Sequence, residues 1–213
     1  MSSRTIVSKE GVIQVRAKFA QFAPPSAGRD RSTFMFPTPG ALRGFGQVFY
    51  HTRRIEIVPL QVEVLSPPKV VSIKRHNLKA GTYGVASPSL KSAPDSSLYL
   101  YDQHYRIKYR VTGPADDVRR WECRVAAGAF ASPPYLGTRE CLATIVPVDD
   151  TKPVDIYLCE PAMNLCNNGV FRRVACVYGV VKYPPETAEA LRGRRKSPIL
   201  KAIMADEEAD DVA

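Results

Sequence analysis

The sequence predicts an α+β protein built on a mostly antiparallel sheet. Three observations carry that prediction. Apolar side chains alternate with polar ones over several stretches, only two stretches repeat at helical spacing, and Pro, Gly and Asn punctuate the chain between them. At 45% hydrophobic, 213 residues can build a real core, in one domain or two small ones.

The first strand runs from Val12 to Phe22, where Ile13, Val15, Ala17 and Phe19 alternate with Gln14, Arg16 and Lys18. A period of two buries one face and leaves the other basic. After a Pro- and Ser-rich loop, Thr38-Pro39 supplies an N-cap and first helical residue. Ala41, Leu42, Phe45, Val48 and Phe49 form the stripe of that helix, with Arg43 and Tyr50 off it; Gly44 and Gly46 leave room for a close approach to its backbone. Alternation resumes over Ile55–Leu65, with a bulge or edge expected at Pro59, and a short strand follows over Lys69–Arg75. Residues 76–97, rich in Ser, Pro, Gly and Ala, are expected to form a long loop. The clearest strand comes next: Tyr105, Ile107, Tyr109 and Val111 point one way, and His104, Arg106, Lys108 and Arg110 the other. Pro114-Ala115-Asp116-Asp117 opens a second helix with acids at its positive end and a stripe of Val118, Trp121 and Val125. Strands are then expected over 138–147, 154–159 and 170–182, the last after the turn signal Asn167-Asn168-Gly169.

Thirty Lys and Arg stand against 21 Asp and Glu, and five of those acids lie in the stretch 206–211. Residues 1–205 therefore hold 30 bases against 16 acids, a net +14 without a single block of like charge. Such a spread excess points to an anionic partner, nucleic acid before a membrane surface. No apolar run approaches the ~18–20 residues of a bilayer span, and the N-terminus has no signal-peptide core, so a cytoplasmic protein is expected. The five cysteines are odd in number and never paired as a two-residue clasp, and the three histidines are not at metal-ligand spacing. No metal and no cofactor is expected. No Ser-His-Asp or Cys-His arrangement follows from spacing.

What remains is polyanion contact. The basic strand faces suit a phosphate backbone, and the aromatics interleaved in Tyr99–Tyr105 offer rings for unpaired bases, although Tyr105 and Tyr109 fit the core better. The same residues read more blandly as solvated strand faces and boundary packing.

The residues also carry a resemblance. Val12–Phe22, Phe36–Gly44 and Arg54–Val58 resemble the opening of a CRISPR-associated RAMP protein, specifically the fifth Cas family in its subtype I-C form. Ser72-Ile73-Lys74-Arg75 with Asn77 resembles that family's next strand. Pro134-Tyr135-Leu136-Gly137-Thr138-Arg139-Glu140-Cys141 is similar to its signature at the start of a later strand, and Asn168-Gly169-Val170 to its late turn. The resemblance spans about residues 12–185, in order and with comparable gaps.

It implies a ferredoxin-like, RNA-recognition-type domain over 1–115 with a projecting thumb at 76–97, a second helix and smaller β region over 116–185, and a basic then acidic tail over 186–213. It implies a Cascade-type subunit that caps the 5′ handle of crRNA, with the backbone RAMP subunit and the large subunit as neighbours and target DNA as a possible further contact. The residues expected on RNA are Arg16 and Lys18, Arg43, Lys74, Arg75 and His76, Arg106 and Lys108, and Arg139. Subtype I-C members also cut precursor crRNA without a metal, using a Tyr at the end of the first helix and a Lys-His pair at the start of the second. Tyr50 falls on the Tyr position, but Asp116-Asp117, or Asp117-Val118 with a one-residue shift, fall where the Lys-His pair belongs, so the cleavage chemistry is incomplete. Binder and endoribonuclease both stay open, as do subtype I-C and a type IV counterpart.

Overall fold

Two long strands organise the chain: β1 (Ile6–Ala20) and β4 (Ser92–Pro114) run antiparallel from Ile6↔Pro114 to Ala20↔Leu100. In the computed structural model the described residues are 5–23, 32–78, 92–161 and 173–183. Between β1 and β4 come α1 (Pro39–Gln47), β2 (Glu56–Val64) and β3 (Lys69–Leu78); after β4 come α2 (Ala115–Ala126), β5 (Thr144–Val146), β6 (Leu158–Pro161), β7 (Arg173–Val177) and β8 (Val180–Lys182). The eight-stranded sheet has the order β5-β1-β4-β2-β8-β7-β6, with β3 paired to β4 off that path. Among the described residues every pairing is antiparallel. The succession β1-α1-β2-β4-α2-β5 in the spatial order β5-β1-β4-β2 is the ferredoxin-like arrangement, and β3 is an addition to it. β2 and β3 share one flank of β4 in succession: β2 pairs with its C-terminal half, from Tyr105 to Thr112, and β3 with its N-terminal half, from Ser92 to Tyr101.

Both helices cover one face. Thr38 caps α1 by accepting from the Ala41 amide, and Pro39 occupies the first turn, where its missing N–H costs nothing. The α1 stripe and the α2 residues Val118 and Trp121 bury against Ile13, Val15, Ile57, Tyr105, Ile107 and Tyr109. Close helix-to-sheet contact requires Gly46, where a Cβ would meet Ile57 Cγ2 at 2.8 Å and the Tyr109 ring at 3.2 Å. The buried polar tips are satisfied there: Trp121 Nε1 donates to the Gly46 carbonyl at 2.9 Å and the Tyr109 hydroxyl to that of Leu42 at 2.8 Å. Burial pushes the Tyr105 and Tyr109 phenols far up, so both stay neutral donors.

Several expectations need correction. The 76–97 loop is partly strand: β3 continues to Leu78 and β4 begins at Ser92, leaving 79–91 outside the described residues. A two-stranded ribbon is held by its ladder hydrogen bonds, so a Ser- and Ala-rich stretch with no apolar alternation can still pair. The strand expected over 138–147 shrinks to Thr144–Val146. Gly137, at φ 86°, lets its backbone abut the Gln21 carbonyl, and Leu136 and Cys141 close a compact turn (Leu136 N to Cys141 O, 2.9 Å) that docks on the end of β1. The strand expected over 170–182 is two, separated by the turn at Tyr178-Gly179. At Pro59 the alternatives resolve to a bulge, because the β2 register shifts between Pro59 and Gln61 while the strand lies inside the sheet.

Candidate functional site

The face of the sheet away from the helices is polar, and register fixes which side chains share it. Gln14 lies opposite Arg106, Arg16 opposite His104, Val12 opposite Lys108 and Glu10 opposite Arg110. On the other flank of β4, Glu63 lies opposite Arg106 and Gln61 opposite Lys108. Lys74 stands opposite Ser96 on the β3–β4 ribbon, beyond Asp102, whose φ of 53° breaks the alternation of β4: Leu100 packs in the same core as Tyr105.

These cations are not equivalent. Arg106 is tied down: its Nη1 meets Glu63 Oε2 at 2.6 Å, and its Nη2 donates to the carbonyls of Asp149 and of Thr151, the latter at 2.9 Å. Lys108 meets Glu10 at 2.6 Å and Arg110 meets the same carboxylate at 3.7 Å. The Lys108 hydrogen bond holds the Glu10 carboxyl below its ordinary value. Arg16, Lys18 and Lys74 are exposed and have no acidic partner among the described residues.

His104 keeps the side that the alternation gives it, facing Gln14, but is buried there. Gln14 occupies the centre of the reason. Its amide N donates to His104 Nε2 at 2.8 Å and to Asp149 Oδ1 at 3.1 Å, while its oxygen accepts from the Asp149 amide at 3.2 Å. The segment around Asp149–Thr151 thereby lies over Gln14, His104 and Arg106. Burial, then the Arg16 charge, hold His104 below its ordinary value, so it is the neutral acceptor this bond requires. Hydrogen bonds from Thr151, then Gln14, hold Asp149 down to about 2.

A second cluster lies on the helix side, where α1 ends and α2 begins. The Tyr50 hydroxyl donates to Asp117 Oδ1 at 2.9 Å. Arg54 Nε stands 3.0 Å from Asp117 Oδ2, an ionic contact off the hydrogen-bond axis. Tyr50 first, then Asp117 and Asp116, raise the proton affinity of the exposed Arg120 guanidinium. Asp117 is buried in the first turn of α2, so its charge is balanced by Arg54, by Tyr50 and by the helix N-terminus. Chemically this is a locked phenol beside guanidinium groups, with His51, Arg53 and Arg119 exposed around it.

The expected contact residues therefore divide. Arg16, Lys18, Arg106 and Lys108 lie on the open face by alternation, and Lys74 is exposed on the β3–β4 ribbon. Arg43, half-buried on α1, and Tyr50 belong to the helix side, and Arg139 is exposed on the turn docked at the end of β1. Arg75 and His76 are placed only as strand positions, opposite Asp95 and Pro94; their side chains, like the basic run 192–196 and the acidic tail, lie outside the described residues. Sequence reasoning missed Gln14, Asp149, Arg54 and the burial of Asp117. An acid in the first turn of a helix was visible; its partner 67 residues earlier was not.

No family model and no curated protein matches the sequence. Solved structures do match. In fold the chain is similar to a CRISPR-associated protein. That crystal structure is 18% identical, with a TM-score of 0.63, over 84% of this chain and 94% of the other. A functionally uncharacterized protein, SMU1763c from Streptococcus mutans, matches over the same shares at 16% identity and a TM-score of 0.59. At these identities the likeness is one of fold. Among the described residues, no helix is long and apolar enough to cross a membrane.

Proposed function

We propose that this chain is an RNA-binding subunit of a CRISPR effector complex of the Cascade type, and that it holds the 5′ handle of crRNA. The observation that carries the proposal is the shared fold with a CRISPR-associated protein over 94% of that protein's length. The resemblance of residues 12–185 to the fifth Cas family, in the subtype I-C form or a type IV counterpart, supports the finer assignment. So does the chemistry of the exposed cations: Arg16 and Lys18 on the open face and Lys74 on the β3–β4 ribbon have no acidic partners among the described residues. A single-stranded handle needs cations for its phosphates and surfaces for its unstacked bases, and Tyr101 is an exposed ring beside Phe19. The neighbours in this reading are crRNA, the backbone RAMP subunit and the large subunit. The domain division at 115/116 belongs to the same proposal.

Binding is favoured over cleavage. Metal-independent cleavage needs a base for the 2′-hydroxyl, a donor for the leaving oxygen and a cation for the phosphorane. The Tyr50 hydroxyl is committed as a hydrogen-bond donor to Asp117, and a buried carboxylate stands where an ammonium or imidazole would be required.

Titration of the purified chain with its repeat RNA in EDTA tests both parts. The handle should bind more tightly than a scrambled RNA of equal length. Arg16→Ala/Lys18→Ala should flatten the salt dependence by roughly 1.4 in log–log slope, about 0.7 per lost phosphate contact on a single strand. Equal affinity for both RNAs would overturn the handle assignment. A shortened product that Tyr50→Phe abolishes would establish the endoribonuclease instead.

A further inference from the structure

One row of side chains crosses β1, β4 and β3 where the sheet passes into the ribbon. Phe19 on β1 pairs with Tyr101 on β4, and Lys69 on β3 pairs with Tyr101 from the other flank. Residues directly opposite in an antiparallel pair share a face, with Cβ atoms about 4.5–5.5 Å apart. The next pair along, Ala20↔Leu100, lies in the core, and successive pairs point to opposite faces. Phe19, Tyr101 and Lys69 therefore point away from the core. The two rings stand 5.6 Å apart between centroids at 59°, Phe19 half-buried and Tyr101 38% exposed. Tyr99, itself buried, backs Phe19 edge to face at 6.1 Å.

The backbone that presents this row is tied down. Asp102 takes φ 53°, a left-handed conformation that Asp tolerates better than most residues. Ser66 Oγ donates to the Asp102 carbonyl at 3.0 Å and accepts from the His104 amide at 2.9 Å. Gln103 Nε2 donates to the Tyr101 carbonyl at 2.7 Å. The exposed ring is thus held in place by its own strand, and a ligand need not order it.

The charges around the row decide what it takes. Lys18 Nζ stands 5.8 Å from the centre of the Phe19 ring. Lys69 is exposed at the opposite end of the row, and Arg16 lies further along β1; none of the three has an acidic partner among the described residues. Asp102 is the opposing charge, and it acts on His104. Aromatic rings flanked by cations repel a partner rich in Lys or Arg and suit a chain that alternates flat rings with phosphates. The row has room for little more than one such ring. Tyr99 is already buried on one side, and on the other the 149–151 segment lies over Gln14, His104 and Arg106.

We infer that Phe19 and Tyr101 form the stacking site for a single unpaired nucleobase, with Lys18 and Lys69 holding the phosphates on either side of it. This rests on the proposed function, which supplies a single-stranded RNA; it adds Lys69 to the contact surface and fixes where one base is held.

The test titrates the full chain with repeat-derived handle RNAs that carry the fluorescent base 2-aminopurine at one position each. Stacking on a ring quenches that base, so wild type should quench one position far more than the others. Ultraviolet irradiation should join the RNA to a peptide at Phe19 or Tyr101. Tyr101→Leu should abolish the quench and weaken handle binding roughly tenfold, the effect of one lost stack, with its salt dependence unchanged. Tyr101→Phe, which keeps the ring, should stay within twofold of wild type. Lys69→Ala should keep the quench and lower the log–log salt slope by about 0.7, one phosphate contact on a single strand. Handle binding by Tyr101→Leu within twofold of wild type overturns the inference and leaves RNA binding by the chain intact. So does an RNA cross-link that maps away from both rings, a readout on wild type that holds even where Tyr101→Leu fails to fold. Absence of RNA binding by wild type sinks the proposed function together with this inference.

Discussion

Removing the carboxylate of Asp117 should destabilise the protein without touching RNA affinity. Asp117→Ala strips Tyr50 of its acceptor and leaves Arg54 facing a buried hole. Breaking a fully buried ion pair costs about 3–5 kcal/mol. The Asp117 side chain is 2% exposed but that of Arg54 is 36% exposed, so water recovers part of the loss and about 3 kcal/mol is expected. Tyr50→Phe removes only the hydroxyl, a bond from a half-buried donor to a charged acceptor, at about 1.5 kcal/mol. At roughly 2–4 °C per kcal/mol for a chain of this size, the midpoints should fall by about 6–12 °C and 3–6 °C. The double variant should fall no further than Asp117→Ala alone, because both changes remove the same bond. Thermal unfolding by circular dichroism measures all three, with handle-RNA anisotropy run in parallel. A Tyr50→Phe midpoint within 1 °C of wild type would refute the lock, and additive losses would show that the two side chains act independently.

Three further outcomes follow from the same contacts. Acidification should destabilise the fold in two stages. His104 is held below 6.5, so the unfolded chain protonates first and stability is lost as pH falls from about 6.5 towards the lowered folded value; Asp149, held at about 2 from 3.8, adds a loss only between about pH 4 and 2. His104→Gln should erase the first stage in denaturant titrations at pH 7 and pH 5, and a persisting slope would locate the titrating group elsewhere. Gly46→Ala should cost about 1–3 kcal/mol by overpacking against Ile57 and Tyr109, whereas Gly44→Ala, with open space at its Cβ, should be neutral or stabilising; equal midpoints would contradict the packing. Arg106→Gln should lower the thermal midpoint and free the 149–151 segment to faster hydrogen exchange while handle affinity stays within twofold; a large affinity loss at an unchanged midpoint would make Arg106 an RNA contact.

Legibility followed the range of the interaction. The α1 cap at Thr38-Pro39, the alternation over residues 13–17 and 105–111, and the Pro59 bulge are local consequences of dihedral preference and period, and all were readable. The length of β3 and β4 was not, since a ribbon gains its hydrogen bonds from its partner and leaves no apolar signature in either strand. The 138–147 stretch holds an apolar run, Cys141 to Val146, broken only by Thr144, and short apolar runs do not distinguish strand from packed loop; Gly137, held against Gln21, starts a docked turn there. At the candidate sites the residue types were visible and their engagement was not. Gln14 and Asp149 are 135 residues apart, and nothing in either position announces that they share two hydrogen bonds.

That difference in engagement ranks the cations of the open face by the cost of recruiting each to a phosphate. Lys108 and Glu10 are nearly half exposed, at 45% and 44%, so exchanging that carboxylate for a phosphate gives up a pair worth about 0–1 kcal/mol. Arg106 is only 17% exposed and holds Glu63 together with two backbone carbonyls. Recruiting it would leave the partly buried Glu63 without its cation and lift the Asp149–Thr151 segment from the sheet, a loss that one phosphate contact does not return. Arg16 and Lys18 have no described acid to give up, nor does Lys74 on the ribbon. The face therefore splits into a structural half, in which Arg106 holds the sheet to the 149–151 segment, and an available half running along β1 toward the β3–β4 ribbon. A phosphate backbone following the cheapest contacts takes the second path and borrows Lys108 last.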